Sequence, residues 1–235
     1  MTAQLRVQLL GKPTLFLDRV AVTGFTSAKV LALMAYLVAT SRAHTRDALA
    51  TLLWPESADD AEAKASLRQA LANIRKLGLE PFLHIERDAV GIDPNAALEV
   101  DVAQLQRYCA QPIAPEQPLS EVYKGDFLEG FNLKDAPEFD EWALLQREHW
   151  REMALAWLAR AVALCASQRH YARGAAFAKH MLTLDPWRED AHRQAELIRH
   201  DVGRRVEQVS QRALALLFAL KRRPVQRALV NDAAQ

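Results

Sequence analysis

From Ala63 to Leu77 the chain reads AKASLRQALANIRKL, and the chemistry of that stretch is one-sided. After Glu62 no acidic residue occurs until Glu80, while Lys64, Arg68, Arg75 and Lys76 fall between them. Guanidinium and ammonium groups bind phosphate, and Arg or Lys also donates to the acceptor edge of guanine. Gln69 and Asn73 carry amides that can pair with adenine, and Ala65 and Ala72 permit close approach, with methyls suited to thymine. Two readings stand open for this surface: an ordinary solvated face, or one shaped to lie in a nucleic-acid groove. A solvated helix commonly pairs glutamate with lysine at four-residue spacing. No such pairs occur here after Glu62.

The elements that would position these groups follow from periodicity. At 100° per residue Leu67, Ala70, Leu71, Ile74 and Leu77 form one apolar stripe, which predicts a helix over 60–77. The helix begins after Ser57 with an acidic first turn of Asp59, Asp60 and Glu62, and ends at Leu77-Gly78. Upstream, Ser27 is placed to cap a helix from Ala28 to Leu37, and Thr45 a second one that stops at Trp54-Pro55. Before these, the alternation of Leu5, Val7, Leu9, then Leu15, Leu17, then Val20, Val22 predicts a small antiparallel meander. Downstream, residues 83–92 read as a strand, the turn Arg87-Asp88-Ala89, and a second strand.

Strands, three helices and a hairpin make the layout of a winged helix, whose third helix enters the major groove while the wing covers neighbouring backbone. Arg87 is then the wing cation, though alone it reads as a charged turn residue. Thr45 and Arg46 open the second helix, where free backbone N–H groups favour phosphate.

The composition shifts near residues 111–118. Three prolines between Gln111 and Pro118 mark a linker or loop near 111–118, and beyond it the chain reads as almost wholly helical. Apolar residues keep helical spacing through 139–167, 171–184, 189–201 and 206–220. The segment 171–184 and the segment 206–220 stand about 34 residues apart, the tetratricopeptide (TPR) period, with the second copy degenerate. The expected fold is therefore mainly α: a winged helix-turn-helix of α+β type with small antiparallel sheets (1–95), then an all-α, TPR-like domain (96–235).

Composition narrows the function classes. The chain has 235 residues, half of them hydrophobic and a quarter charged, with a formal net charge of +1, so any surface for a polyanion must be local. Two distant cysteines, Cys109 and Cys165, argue for a reducing compartment and against a disulfide framework or structural zinc. With no signal-like leader and no run of roughly 18 apolar residues, a cytoplasmic location and no membrane partner are expected. His192 and Glu196 are four apart on a helix but lack a third ligand at matching spacing. The segment Gly125 to Gly130 has Asp126 and Glu129 where a phosphate-binding loop would carry none, and no GxSxG occurs. Neither a cofactor nor an enzymatic activity is expected.

Ser27 to Leu37, Thr45 to Pro55 and Ala65 to Leu71 resemble the N-terminal domain of SARP-type transcriptional activators. Tyr123-Lys124-Gly125-Asp126-Phe127-Leu128-Glu129-Gly130-Phe131, Pro137-Glu138-Phe139-Asp140-Glu141-Trp142 and Leu184-Asp185-Pro186-Trp187-Arg188 resemble the bacterial transcriptional activator domain (BTAD) that follows it. The resemblance spans roughly Leu5 to Leu220. It implies an OmpR-type winged helix that binds double-stranded promoter DNA through a helix matching Lys64 to Lys76 and a wing matching Leu83 to Ile92, and that recruits RNA polymerase holoenzyme. A homodimer joined through the helical half is compatible with it. The chain departs from the pattern at its end, where Lys221-Arg222-Arg223-Pro224 replaces an acidic terminus. These cations, with Arg204, Arg205, Arg212 and Arg227, read as a solvated helix end or a second phosphate patch. The acidic, aromatic-rich stretch from Asp126 to Trp142 reads as a core-filling loop. Alternatively it is a surface that packs on the basic domain or a polymerase subunit. The rival functions are a helical-repeat adaptor that has lost DNA binding and the front part of a larger ATP-dependent regulator.

Overall fold

The computed structural model describes residues 3–113, 119–187 and 193. The chain divides into two compact units, Met1–Trp157 and Leu158–Gln235.

The first unit opens with β1 (Leu5–Gln8), β2 (Thr14–Leu17) and β3 (Val20–Ala21), paired antiparallel in a meander. Alternation decides the faces: Leu5 and Val7 are fully buried while Arg6 is exposed. The two residues between β2 and β3, Asp18 and Arg19, both take positive φ (48° and 70°), the backbone of a tight hairpin turn. Asp18 also accepts a hydrogen bond from the Gln4 amide at 2.8 Å.

Three helices follow. The first, α1 (Ala28–Thr40), is buried on most of its surface, from Val30 to Val38. Ser27 occupies its N-cap position without a side-chain capping bond. Next come α2 (Arg46–Leu53) and α3 (Asp60–Lys76). A second sheet has the order β4-β6-β5, from β4 (His44–Thr45), β5 (Leu83–Ile85) and β6 (Ala89–Ile92). The winged-helix layout expected from the sequence is thus present, with small antiparallel sheets around three helices.

The boundary expected at residue 95 does not coincide with the edge of the compact unit. A seventh strand, β7 (Leu98–Val100), pairs parallel to β1 and makes the first sheet β3-β2-β1-β7. Directly after it, Asp101 begins α4 (Asp101–Ala110) and accepts the amides of Leu9 and Leu10 at 2.8–2.9 Å. Burial raises the pKa of this carboxyl, opposed by the same backbone hydrogen bonds. Further on, Leu10 bridges Phe127, and Phe127 and Phe139 are fully buried, both with rings against Trp142. Trp142 in turn meets Tyr36 of α1 edge-on, with ring centroids 4.7 Å apart. The acidic, aromatic-rich stretch is largely spent inside this unit. Its aromatics fill core, Asp126 pairs with Arg151 and accepts from the Tyr123 hydroxyl, and Asp140 accepts the Leu133 amide.

Lys29 ties this stretch to the helices. Its ammonium lies 2.5 Å from Glu56 Oε1 in the α2–α3 connection and 2.9 Å from Asp135 Oδ2, above the Trp54 ring. The helix α5 (Pro137–Ser167) begins two residues after Asp135.

In the second unit α5 ends and α6 (Tyr171–Leu184) begins after a short turn with Arg169 at φ 63°. Leu158, Ala161, Val162, Cys165, Phe177, Ala178 and Met181 are buried. Both helices match the sequence expectation. The expected repeat copy at 206–220, the helix at 189–201, His192, Glu196 and the C-terminal cations lie outside the described residues, as does most of the proline-rich stretch (114–118). Among the described residues, no helix is long and apolar enough to cross a membrane, and no group of His, Cys, Asp and Glu could hold a metal. Cys109 and Cys165 are both buried and neither forms a disulfide.

Candidate nucleic-acid interface

The start of α3 is fixed by reciprocal capping. Asp59 accepts the Glu62 amide at 2.8 Å, and the Glu62 carboxylate reaches back to the Ala58 amide at 2.7 Å. The cap is Asp59, two residues nearer the helix than Ser57, and its carboxylate is a charged acceptor at a positive dipole end. Arg75 and Lys76 occupy the last turn, where cations suit the negative end. Ala63, Leu67, Ala70, Leu71 and Ile74 are buried, so the apolar stripe is the core face.

The other faces sort the expected site residues into three groups. Arg68, Gln69, Ala72 and Lys76 are exposed, at spacings of one, three and four residues along a single strip. Among the described residues neither Arg68 nor Lys76 has an ion pair. From residue 68 to 76 a helix rises about 12 Å, enough to face three or four stacked base pairs.

The second group is exposed or half-buried but already engaged. Lys64 lies 3.0 Å from Asp47 on α2, a bond that raises the lysine pKa. Arg75 donates through Nε and Nη2 to Glu80 Oε1 at 2.8 and 2.6 Å. That contact raises the arginine pKa and lowers the Glu80 pKa. Ala65 is half-buried beside them. Asp47 and Glu80 are therefore the acids that neutralise half of a face read from sequence as acid-free.

Asn73 makes up the third group and requires a correction. It is buried, its Oδ1 accepting from the Thr26 amide at 3.2 Å and its Nδ2 donating to the Gly24 carbonyl at 3.3 Å. Its amide is consumed in holding the segment before α1 against α3, so it has no edge left to offer a base. The flank of the helix on which it sits is covered by chain from 49 residues upstream.

At the entrance to α2, Thr45 caps the helix by accepting the Ala48 amide at 3.2 Å. The Arg46 amide is donated to Asp88 in the hairpin tip at 2.9 Å, and its guanidinium donates to the Glu86 carbonyl at 3.1 and 3.3 Å. Arg46 thus binds the wing to the start of α2, and the helix offers fewer free N–H groups than its position suggests. Arg87 stands exposed at the tip between Glu86 and Asp88, without an ion pair among the described residues.

β4 brings the wing and α2 together, since His44 and Thr45 pair with Val90 and Ala89. Gly91 permits this approach: a Cβ there would lie 2.9 Å from the Ala43 Cα. His44 is buried, with Nε2 2.8 Å from Thr40 Oγ1 and its ring 4.8 Å from that of Tyr36. Burial, then the charge of Arg42, lowers its pKa. A strand of two residues carries no periodic signal, so β4 was not legible beforehand.

With this geometry in view, comparisons bear on the fold alone. No family model matches the chain, and no curated protein matches it. Among solved structures it is similar to Mycobacterium tuberculosis EmbR in complex with a low affinity phosphopeptide, with a TM-score of 0.61 and 21% sequence identity. The match covers 87% of this chain and 57% of that one, so the chain spans a little over half the length of EmbR. The arrangement of small N-terminal sheets and helices followed by a helical region is shared with that protein.

Proposed function

We propose that the chain is a sequence-specific regulator of transcription that binds double-stranded DNA, with α3 in the major groove and the β5–β6 hairpin as wing. The observation that carries this reading is the strip of Arg68, Gln69, Ala72 and Lys76, exposed and unneutralised on a helix whose other cations are paired. Arg68 reads guanine or holds a phosphate, Gln69 reads adenine, Ala72 meets a thymine methyl, and Lys76 holds backbone. Arg87 supplies a phosphate contact from the wing. Lys64 and Arg75 join only by exchanging Asp47 and Glu80 for phosphates, and Arg46 acts mainly by fixing the wing.

Activation through RNA polymerase, and assembly as a homodimer on repeated half-sites, are part of the proposal. Activation rests on the resemblance to SARP-type activators; the fold likeness to EmbR supports the architecture that such a role needs. The test is fluorescence anisotropy of the purified chain on DNA from its own upstream region, against scrambled DNA, over a salt series. Sequence preference with a steep salt slope is expected, and Arg68→Ala should cost about 1–3 kcal/mol on the preferred site while relaxing one position. No binding at low salt would overturn the proposal in favour of a protein-binding adaptor on the same fold.

A further inference from the structure

Where α1, β4, α2 and the start of α5 meet, the packing leaves a cleft of about 350 Å³ that opens to solvent. Sites for small ligands run from about 300 to 1,000 Å³. Tyr36 of α1 and His44 of β4 give it an aromatic part, their ring centroids 4.8 Å apart. Ala48, Leu49 and Leu52 of α2 give it an apolar part. Glu138, in the first turn of α5, supplies a carboxylate. One helical turn further on, the Trp142 ring meets Tyr36 edge-on and fixes that end of α5 against α1.

Two acceptors of this lining have nothing to accept from. The Thr40 hydroxyl donates its single proton to the Tyr36 carbonyl at 2.7 Å, so it accepts from His44 Nε2 at 2.8 Å. The proton of the neutral ring therefore sits on Nε2. Its Nδ1 is a bare acceptor, without a hydrogen bond among the described residues, on a side chain that is nine-tenths buried. A buried acceptor of this kind is satisfied by whatever occupies the cleft. Glu138 likewise makes no ion pair among the described residues. The cations of the neighbouring elements are committed: Lys29 to Glu56 and Asp135, Arg147 to two backbone carbonyls, and Arg151 to Asp126. Arg42, whose charge acts on His44, is exposed and does not line the cleft.

We propose that this cleft binds a small organic cation, a primary ammonium carried on a short apolar body. The ammonium N–H groups serve Glu138 and His44 Nδ1, its charge lies against the Tyr36 ring, and the apolar body covers Ala48, Leu49 and Leu52. An anion is a poor occupant, because both fixed acceptors repel it. A purely apolar molecule would strip water from those acceptors and return no donor. The Thr51 hydroxyl, also in the lining, donates or accepts as required. The proposal does not depend on the DNA reading.

The test titrates the full ¹⁵N-labelled chain at neutral pH with three probes of one shape: 2-phenylethylamine, 2-phenylethanol and phenylacetate. Backbone amide shifts report both affinity and place. The amine should give saturable shifts centred on Tyr36, His44 and the turn from Ala48 to Leu52. It should bind on the order of tenfold tighter than the alcohol, with the carboxylate weakest. Glu138→Gln keeps the shape of the exposed side chain and should bring amine and alcohol to within about twofold of each other. Glu138→Lys sets an ammonium of the protein's own at the cleft and should exclude the amine while admitting the alcohol. The spectra of both variants show directly whether the fold is kept. Shifts that do not saturate, shifts centred elsewhere, or equal binding of amine and alcohol to the parent chain would overturn the proposal. So would a preference for the amine that survives Glu138→Gln.

Discussion

The Lys64 ammonium on α3 lies 3.0 Å from the Asp47 carboxylate on α2, so one cation of the proposed reading helix is already neutralised. Asp47→Asn releases it. That variant should bind DNA more tightly and with less selectivity, its salt slope steeper by up to about 0.9 for one added phosphate contact. Lys64→Ala alone should change little. An anisotropy salt series on both variants decides the matter, and an unchanged slope in Asp47→Asn would remove Lys64 from the interface.

Asn73 is a structural residue. Asn73→Ala removes the hydrogen bonds to the Thr26 amide and the Gly24 carbonyl, and since both of those residues are exposed and can hydrate, the loss should be about 0.5–1.5 kcal/mol per bond. Urea unfolding should report the loss, while site preference measured well below the melting temperature stays as in the parent chain. Lost preference at undiminished stability would restore Asn73 to the base-reading set.

The wing carries a dependence on pH. The His44 pKa is held below its ordinary 6.5 by burial and by Arg42, so the unfolded chain takes up a proton before the folded one does. Stability is therefore fully present above about pH 6.5 and declines as the pH falls through the window beneath that value. His180 shifts in the same direction, so the wild-type profile alone does not isolate the effect. His44→Gln should flatten the fall in melting temperature between about pH 7.5 and 5.5; identical profiles would clear His44 of responsibility.

Lys29 holds three segments at once through Glu56, Asp135 and the Trp54 ring. Lys29→Met keeps the apolar stem and removes the charge. Glu56 and Asp135 are half-exposed and can hydrate, so the loss should be modest, about 1–3 kcal/mol in chemical denaturation. A neutral or stabilising result would mean that desolvation of the ammonium cancels its pairing.

How much of this was legible in the residues depended on range. Caps at Thr45 and the acidic first turn of α3, the apolar stripe from Leu67 to Ile74, and the turn at Arg87-Asp88 are local signals, and the elements formed where they pointed. Cross-chain pairings were another matter. Leu98-Glu99-Val100 is too short to announce a strand, and it becomes one only because β1 offers an edge 93 residues upstream. The fate of Asn73 turned on Gly24 and Thr26, which helical spacing cannot see. The partners of Lys64 and Arg75 lie on α2 and past the end of α3, so a count within one helix overstated its charge.

The parallel strand β7 and the Asp101 clamp on Leu9 and Leu10 also govern how this protein can be taken apart. A shuffled gene cut in the apparent gap near residue 95 would strip β1 of its neighbour and leave two amides orphaned, and a bare strand edge invites aggregation. Exchange of the winged helix between proteins, in the laboratory or by recombination, must then carry β7 and the start of α4 with it.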